Sequence, residues 1–122
     1  MTTDGAEEGR PAALAPNDLG RMFVERANAG DVDGLVALYA PDAVLAFPPG
    51  ETQVGRDAIR AAYARLLAGR PRFTAGEQAP ALVHDDLALT STRLTSGGAT
   101  AEVARRQADG TWLWVLDQPA VV

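Results

Sequence analysis

The chain has 122 residues, 47% of them apolar, with no cysteine, one histidine and a net charge of −5 from 16 acidic and 11 basic residues, all arginine. That is enough chain and apolar content for one domain with one core. It excludes disulfides, thiolate chemistry, sulfur-bound zinc and lysine Schiff bases, and an acidic chain without a basic run is a poor match for nucleic acid.

Residues 1–15 are rich in Ala, Gly, Glu and Pro and read as a flexible tail, with a single domain over 16–122. The first ten residues carry Asp4, Glu7 and Glu8 and no apolar core, so no secretory leader is read there and the expected setting is the cytoplasm. No apolar run is long enough for a membrane span, so no membrane partner is expected.

A first helix is predicted from an Asn17 cap, with Asp18 in its first turn and Leu19, Met22, Phe23 and Ala27 on one face, ending at Gly30. Asp31 caps a second helix over 32–40, which Pro41 stops. Residues 43–47 read as a short buried strand, followed by the Pro48-Pro49-Gly50 loop. A third helix is predicted over about 56–68, with Ile59, Ala62, Tyr63, Leu66 and Leu67 facing inward and Gly69 closing it.

From Pro71 the pattern turns to strands. Residues 72–83 are predicted as a strand bent at Gly76 and Pro80, 87–95 as a second, 99–107 as a third and 111–118 as a fourth, with turns at His84-Asp85-Asp86, Ser96-Gly97-Gly98 and Ala108-Asp109-Gly110. Helices followed by a meander make an α+β fold.

The stretch Ala29-Gly30-Asp31-Val32-Asp33-Gly34-Leu35-Val36-Ala37-Leu38-Tyr39-Ala40-Pro41-Asp42-Ala43-Val44 resembles the second-helix motif of the nuclear transport factor 2-like superfamily. Pro48-Pro49-Gly50, Val54-Gly55-Arg56-Asp57-Ala58-Ile59 and Tyr63 resemble the segment that follows in its members. Arg105-Arg106-Gln107-Ala108-Asp109-Gly110-Thr111-Trp112-Leu113-Trp114-Val115-Leu116-Asp117 is similar to the closing hairpin of its SnoaL-like, polyketide-cyclase-like bacterial branch. The resemblance implies a cone-shaped, barrel-like α+β fold, with three N-terminal helices packed on a curved antiparallel sheet. It further implies a pocket for a small hydrophobic organic molecule and a homodimer formed through the outer sheet face. No cofactor and no metal are implied. The fold hosts isomerases, cyclases, epoxide hydrolases, dehydratases and non-enzymes, so it does not name a reaction.

Ketosteroid isomerases of this superfamily use a tyrosine on the first helix, a carboxylate base at the end of the first strand and a protonated acid on the third long strand. By that resemblance these positions fall on Phe23, Phe47 and near Glu102, and two supporting tyrosines on Tyr39 and Tyr63. Neither phenylalanine can carry a proton, so steroid-type proton shuttling is not expected. Phe23, Tyr39, Phe47, Tyr63 and Trp112 are expected to line the pocket.

Glu102 and Asp117 are the candidate catalytic pair. A two-residue Asp109-Gly110 loop places Glu102 directly across from Asp117; a three-residue loop with Gly110 left-handed places it across from Leu116. In the first arrangement the two carboxyls share a wall and can divide acid and base roles. In the second, Glu102 is exposed or paired with an arginine. Asp117 either lines a cavity or caps the sheet edge. Trp112 and Trp114 share a strand face and suit core or interface. His84 beside Asp85 reads as a solvated hairpin tip rather than a general base.

The expected function is acid–base chemistry of cyclase or isomerase type on a polyketide-like molecule. The alternatives are a non-catalytic dimeric binding module and an epoxide hydrolase. The last wants an Asp-Arg-Asp cluster, for which Arg93, Arg105 and Arg106 are the candidate arginines.

Overall fold

Leu19, Met22 and Ala27 are buried on one side of a helix over Asp18–Asn28 (α1), as their spacing requires. The computed structural model describes residues 10–121. Ile59, Ala62, Tyr63 and Leu67 are the buried stripe of a helix over Arg56–Ala68 (α3). Between them a short helix over Val32–Val36 (α2) begins at Asp31, whose side chain accepts from the Gly34 N–H at 3.0 Å.

The strands are Tyr39–Leu45 (β1), Gln53–Val54 (β2), Glu77–Gln78 (β3), Leu82–His84 (β4), Leu87–Thr90 (β5), Thr92–Arg93 (β6), Ala99–Arg106 (β7) and Trp112–Val121 (β8). They form one sheet in the order β2-β1-β8-β7-β5-β4, with β6 also on β7 and β3 on β6. The helices pack on one face, so the α+β architecture with three helices is as read from the sequence.

The sheet is mixed, not antiparallel throughout: β1 and β8 pair in parallel. These strands come from opposite ends of the domain, so no hairpin dictates their relative direction. The second helix also ends early, at Val36 rather than residue 40. The Leu38 carbonyl accepts from Trp114 N–H at 2.9 Å, so the chain leaves the helix to join β8, and Pro41 sits exposed inside β1. The predicted strand over 72–83 shrinks to β3 and β4. At Gly76 the backbone passes so close to β6 that an added Cβ would stand 2.3 Å from the Arg93 carbonyl oxygen. The second predicted strand breaks at Ser91, whose hydroxyl donates to the Thr100 carbonyl at 2.7 Å.

Residues 1–9 of the expected tail lie outside the described residues, and residues 10–15 are bound to the domain. Ala13 is buried and its carbonyl accepts from Trp112 N–H at 2.9 Å. Arg26, itself buried, donates to the Pro11 and Gly34 carbonyls at 2.6 and 2.8 Å. Arg10 pairs with Asp31 at 2.6 Å.

Two inner rows cross the sheet. One is Ala88–Ala104–Trp114–Tyr39 and the other Thr90–Glu102–Asp117–Leu45. From the first row to the second, β5 and β7 advance by the two residues of regular pleating, but β8 runs from Trp114 to Asp117 and β1 from Tyr39 to Leu45. The added residues are bulges on β8 and β1, and they curve the sheet around the helices. On the outer face, Leu82, Leu89, Val103 and Leu116 form a matching row, with all three leucines exposed.

Candidate active site

The register of the β7–β8 hairpin decides the chemistry. Near the turn, Arg106 faces Trp112 and Ala104 faces Trp114, with Gln107 N–H bonded to the Thr111 carbonyl at 2.7 Å and Gly110 at φ +87°. That is the longer, left-handed loop, which alone would set Glu102 against Leu116. The bulge at Val115 then advances β8 by one residue, and Glu102 faces Asp117 after all. It also reverses the strand's parity, so that Asp117 joins Trp112 and Trp114 on the inner face while Leu116 is turned out.

Both carboxyls line a cavity of about 420 Å³ between the helices and the sheet. Its apolar walls are Phe23 from α1, Tyr63 and Leu66 from α3, Phe47, Phe73 and Trp114. Phe23 meets Tyr63, Phe73 and Trp114 at ring-centroid distances of 5.9, 5.6 and 6.2 Å, and Phe47 stacks on Tyr63 at 6.4 Å. Thr92, Thr95, Ser96 and Thr100 add hydroxyls, and among the described residues Arg72 is the single basic side chain of the lining. The volume suits a small organic molecule.

Asp117 and Glu102 are 7% exposed, so neither carboxyl keeps its water shell. Burial pushes Asp117 up to about 7 and the nearby Glu102 carboxylate adds to the rise, while a hydrogen bond from the Tyr39 hydroxyl to Oδ2 pulls the other way. Burial raises Glu102 too, opposed by the hydroxyls of Thr100 and Thr90; Thr90 Oγ1 donates to Oε1 at 2.7 Å. Tyr39 and Tyr63 are joined hydroxyl to hydroxyl at 2.6 Å. Since the Tyr39 hydroxyl donates its hydrogen bond to Asp117, Tyr63 donates to Tyr39, and a chain runs from the cavity wall through two phenols to the carboxyl. Burial, and then the charge of Asp117, raises both phenols, so both remain protonated donors.

Tyr39→Phe removes the donor that favours ionised Asp117, so the Asp117 carboxyl is expected to titrate above about 7. Carboxyl carbon NMR read against pH checks this. An unchanged or lower titration would mean that Tyr39 does not hold the charge.

Of the residues singled out from sequence, Glu102, Asp117, Phe23, Phe47 and Tyr63 meet in the cavity. Tyr39 does not line it; wholly buried, it stands behind Asp117. Trp112 is also misplaced by the sequence reading. It lies one step nearer the hairpin turn, against Ala13, beside a separate hollow of about 150 Å³, and Trp114 takes the wall position instead. Strand alternation puts both indoles on one face but cannot say which reaches the cavity. Thr90, the hydroxyl partner of Glu102, is buried. His84 is exposed at its hairpin tip, 3.5 Å from Asp85. Arg93 pairs with Glu77 at 3.7 Å and Arg106 with Asp86 at 2.7 Å, and neither these nor Arg105 lines the cavity. An Asp-Arg-Asp cluster is therefore not formed by these arginines. Among the described residues, no helix is long and apolar enough to cross a membrane.

Residues 21–121 match the family model described as a SnoaL-like domain. Epoxide hydrolase LasB of Streptomyces lasalocidi is 32% identical over 98 residues, 80% of this chain and 34% of that protein. The chain thus spans about a third of the length of this relative. Among solved structures, a nuclear transport factor 2-like protein with a cystatin-like fold from Novosphingobium aromaticivorans superposes with a TM-score of 0.65 at 25% identity, covering 86% of this chain and 78% of that one. A ketosteroid isomerase-like protein from Erwinia carotovora atroseptica gives 0.66 at 20% identity, covering 83% and 88%.

Proposed function

The chain belongs to the SnoaL-like family of the nuclear transport factor 2-like superfamily, and from that premise we propose that it is an acid–base enzyme acting on a small, largely apolar organic molecule. The observation that carries this reading is the pair Glu102 and Asp117, opposed on adjacent strands at the wall of an aromatic cavity. A binding module for a hydrophobic metabolite has no use for two buried carboxyls, whose desolvation costs stability. Their presence weighs against that alternative, although Phe23 and Phe47 leave the rest of the wall inert.

Within acid–base chemistry, opening of an epoxide is the reaction we favour over isomerisation or cyclisation of a polyketide-like substrate. It needs one acid and one base, and the relative at 32% identity is named an epoxide hydrolase. Asp117, close to half-protonated at neutral pH, gives its proton to the epoxide oxygen as the C–O bond breaks. Glu102, in its ionised form and accepting from the Thr90 hydroxyl, takes a proton from the water whose oxygen bonds to the ring carbon. The product is a diol, and the proton on Glu102 returns to Asp117 directly or through water. The acid here is Asp117, so no arginine is required between two acids.

Incubation with a series of apolar epoxides, with diol formation followed by chromatography, tests the reading. Turnover that depends on Glu102 supports it; an inert protein across the series, still binding the corresponding diols, would return it to the binding class.

We also propose that two copies pair through the outer sheet face. Leu82, Leu89, Val103 and Leu116 present one continuous apolar row there, and a twofold contact sets such a row against itself. Sedimentation is expected to give a dimer that Leu89→Glu turns into a monomer. A monomeric wild-type protein would remove the proposal.

A further inference from the structure

Charge is unevenly placed along this acidic chain. Residues 58–76 contain no Asp or Glu but four arginines, Arg60, Arg65, Arg70 and Arg72. Arg60 is engaged by Asp33. Among the described residues, Arg65, Arg70 and Arg72 have no acidic partner, whereas Arg10, Arg21, Arg93 and Arg106 each have one. Arg72 is the member of this group that reaches the cavity. It is exposed, follows α3 in the irregular segment before β3, and lines the same space as Glu102, Asp117 and the aromatic wall. An unpaired guanidinium at the solvent side of a cavity whose other charged groups, among the described residues, are carboxyls marks where a negative end of a ligand can rest.

We propose that the cavity selects an amphiphilic carboxylic acid, with its apolar body against Phe23, Phe47 and Trp114 and its carboxylate on Arg72. This rests on the reading of the cavity as a small-molecule site, but not on its being catalytic. The planar guanidinium matches a carboxylate through two parallel hydrogen bonds. The unpaired arginines preceding it bias the local potential toward anions and offset the repulsion of the two acids. Holding the carboxylate at Arg72 keeps it apart from Glu102 and Asp117, so that the reacting group of the substrate, and not its charged end, meets the acid–base pair.

Binding of dodecanoate and of dodecanol, read by quenching of Trp114 fluorescence, tests this without turnover; Trp112, outside the cavity, gives a constant background. Dodecanoate is expected to bind about fivefold more tightly than dodecanol, the upper end of what an exposed ion pair supplies, and less so as salt rises. Arg72→Gln should erase that preference while leaving dodecanol binding unchanged, and Arg72→Glu should reverse it. Equal affinity for acid and alcohol in the wild type, or a preference that survives Arg72→Gln, would overturn the assignment. Failure of the epoxide chemistry would leave these binding results untouched, and failure here would leave the roles of Glu102 and Asp117 standing.

Discussion

Glu102→Gln is expected to lower kcat/KM for epoxide opening by about a hundred- to ten-thousandfold, the usual worth of a positioned proton carrier. Glutamine fills the same volume and its Oε1 can still accept from Thr90, so the cavity keeps its shape and only the base is lost. Asp117→Asn should cost a similar factor by removing the acid. Combining the two should cost little more than either alone, because acid and base act on the same bond change. The active form has Glu102 ionised and Asp117 protonated. The rate therefore rises with pH as Glu102 loses its proton, and falls as pH passes about 7 and Asp117 loses its own. Glu102→Gln should remove the acid limb from whatever rate remains, and Asp117→Asn the alkaline limb. A Glu102→Gln rate within about tenfold of wild type, short of the usual range, would assign proton transfer elsewhere. So would an alkaline limb that persists in Asp117→Asn.

Which features were legible in the sequence follows from how local their causes are. Helix α3 was read over its observed span because Gly55 and Gly69 punctuate a clear helical stripe. The second helix was overread because Leu38 and Tyr39 continue its period; what ends it is a bond from Trp114, far along the chain. Glu102 and Asp117 were recognised as a possible pair, but the two loop alternatives could not be separated. The structure combines them: the longer loop forms, and a bulge at Val115 restores the pairing that the shorter loop would have given. A valine in an apolar strand carries no sign of a bulge. Nor does any local pattern announce that Tyr39 will donate to a carboxyl 78 residues away. The resemblance placed Phe23, Phe47 and Tyr63 at the cavity, because helical and strand positions transfer with the fold. It did not place Trp112, whose distance from the cavity depends on where the bulge bends β8.

The same burial that readies Asp117 for catalysis should make it a liability to the fold, and Asp117→Asn is expected to expose this as a gain in stability. In the unfolded chain the carboxyl ionises near its ordinary 3.8; in the folded protein it holds its proton up to about 7. Between those values the folded state binds more protons than the unfolded state, so stability is greatest below about 4 and falls as pH rises to about 7. Raised Glu102 acts in the same direction. Asp31 acts oppositely: its hydrogen bond from Arg10 lowers it, so its contribution is present above the ordinary value and is lost as pH falls below that value and through the lowered folded one. A shift from 3.8 to about 7, at about 1.4 kcal/mol for each tenfold change in proton affinity, amounts to about 4 kcal/mol lost by neutral pH. Asparagine cannot ionise and can still accept from Tyr39, so at pH 8 Asp117→Asn should unfold at higher denaturant, with a gain of up to about 4 kcal/mol. At pH 4 the two proteins should nearly coincide. Denaturant titrations of both across this range measure the difference directly. A variant no more stable than wild type at pH 8 would mean that Asp117 is ionised at little cost, held by Tyr39 more strongly than burial opposes it. Its role as the acid would then be untenable, even if activity were lost.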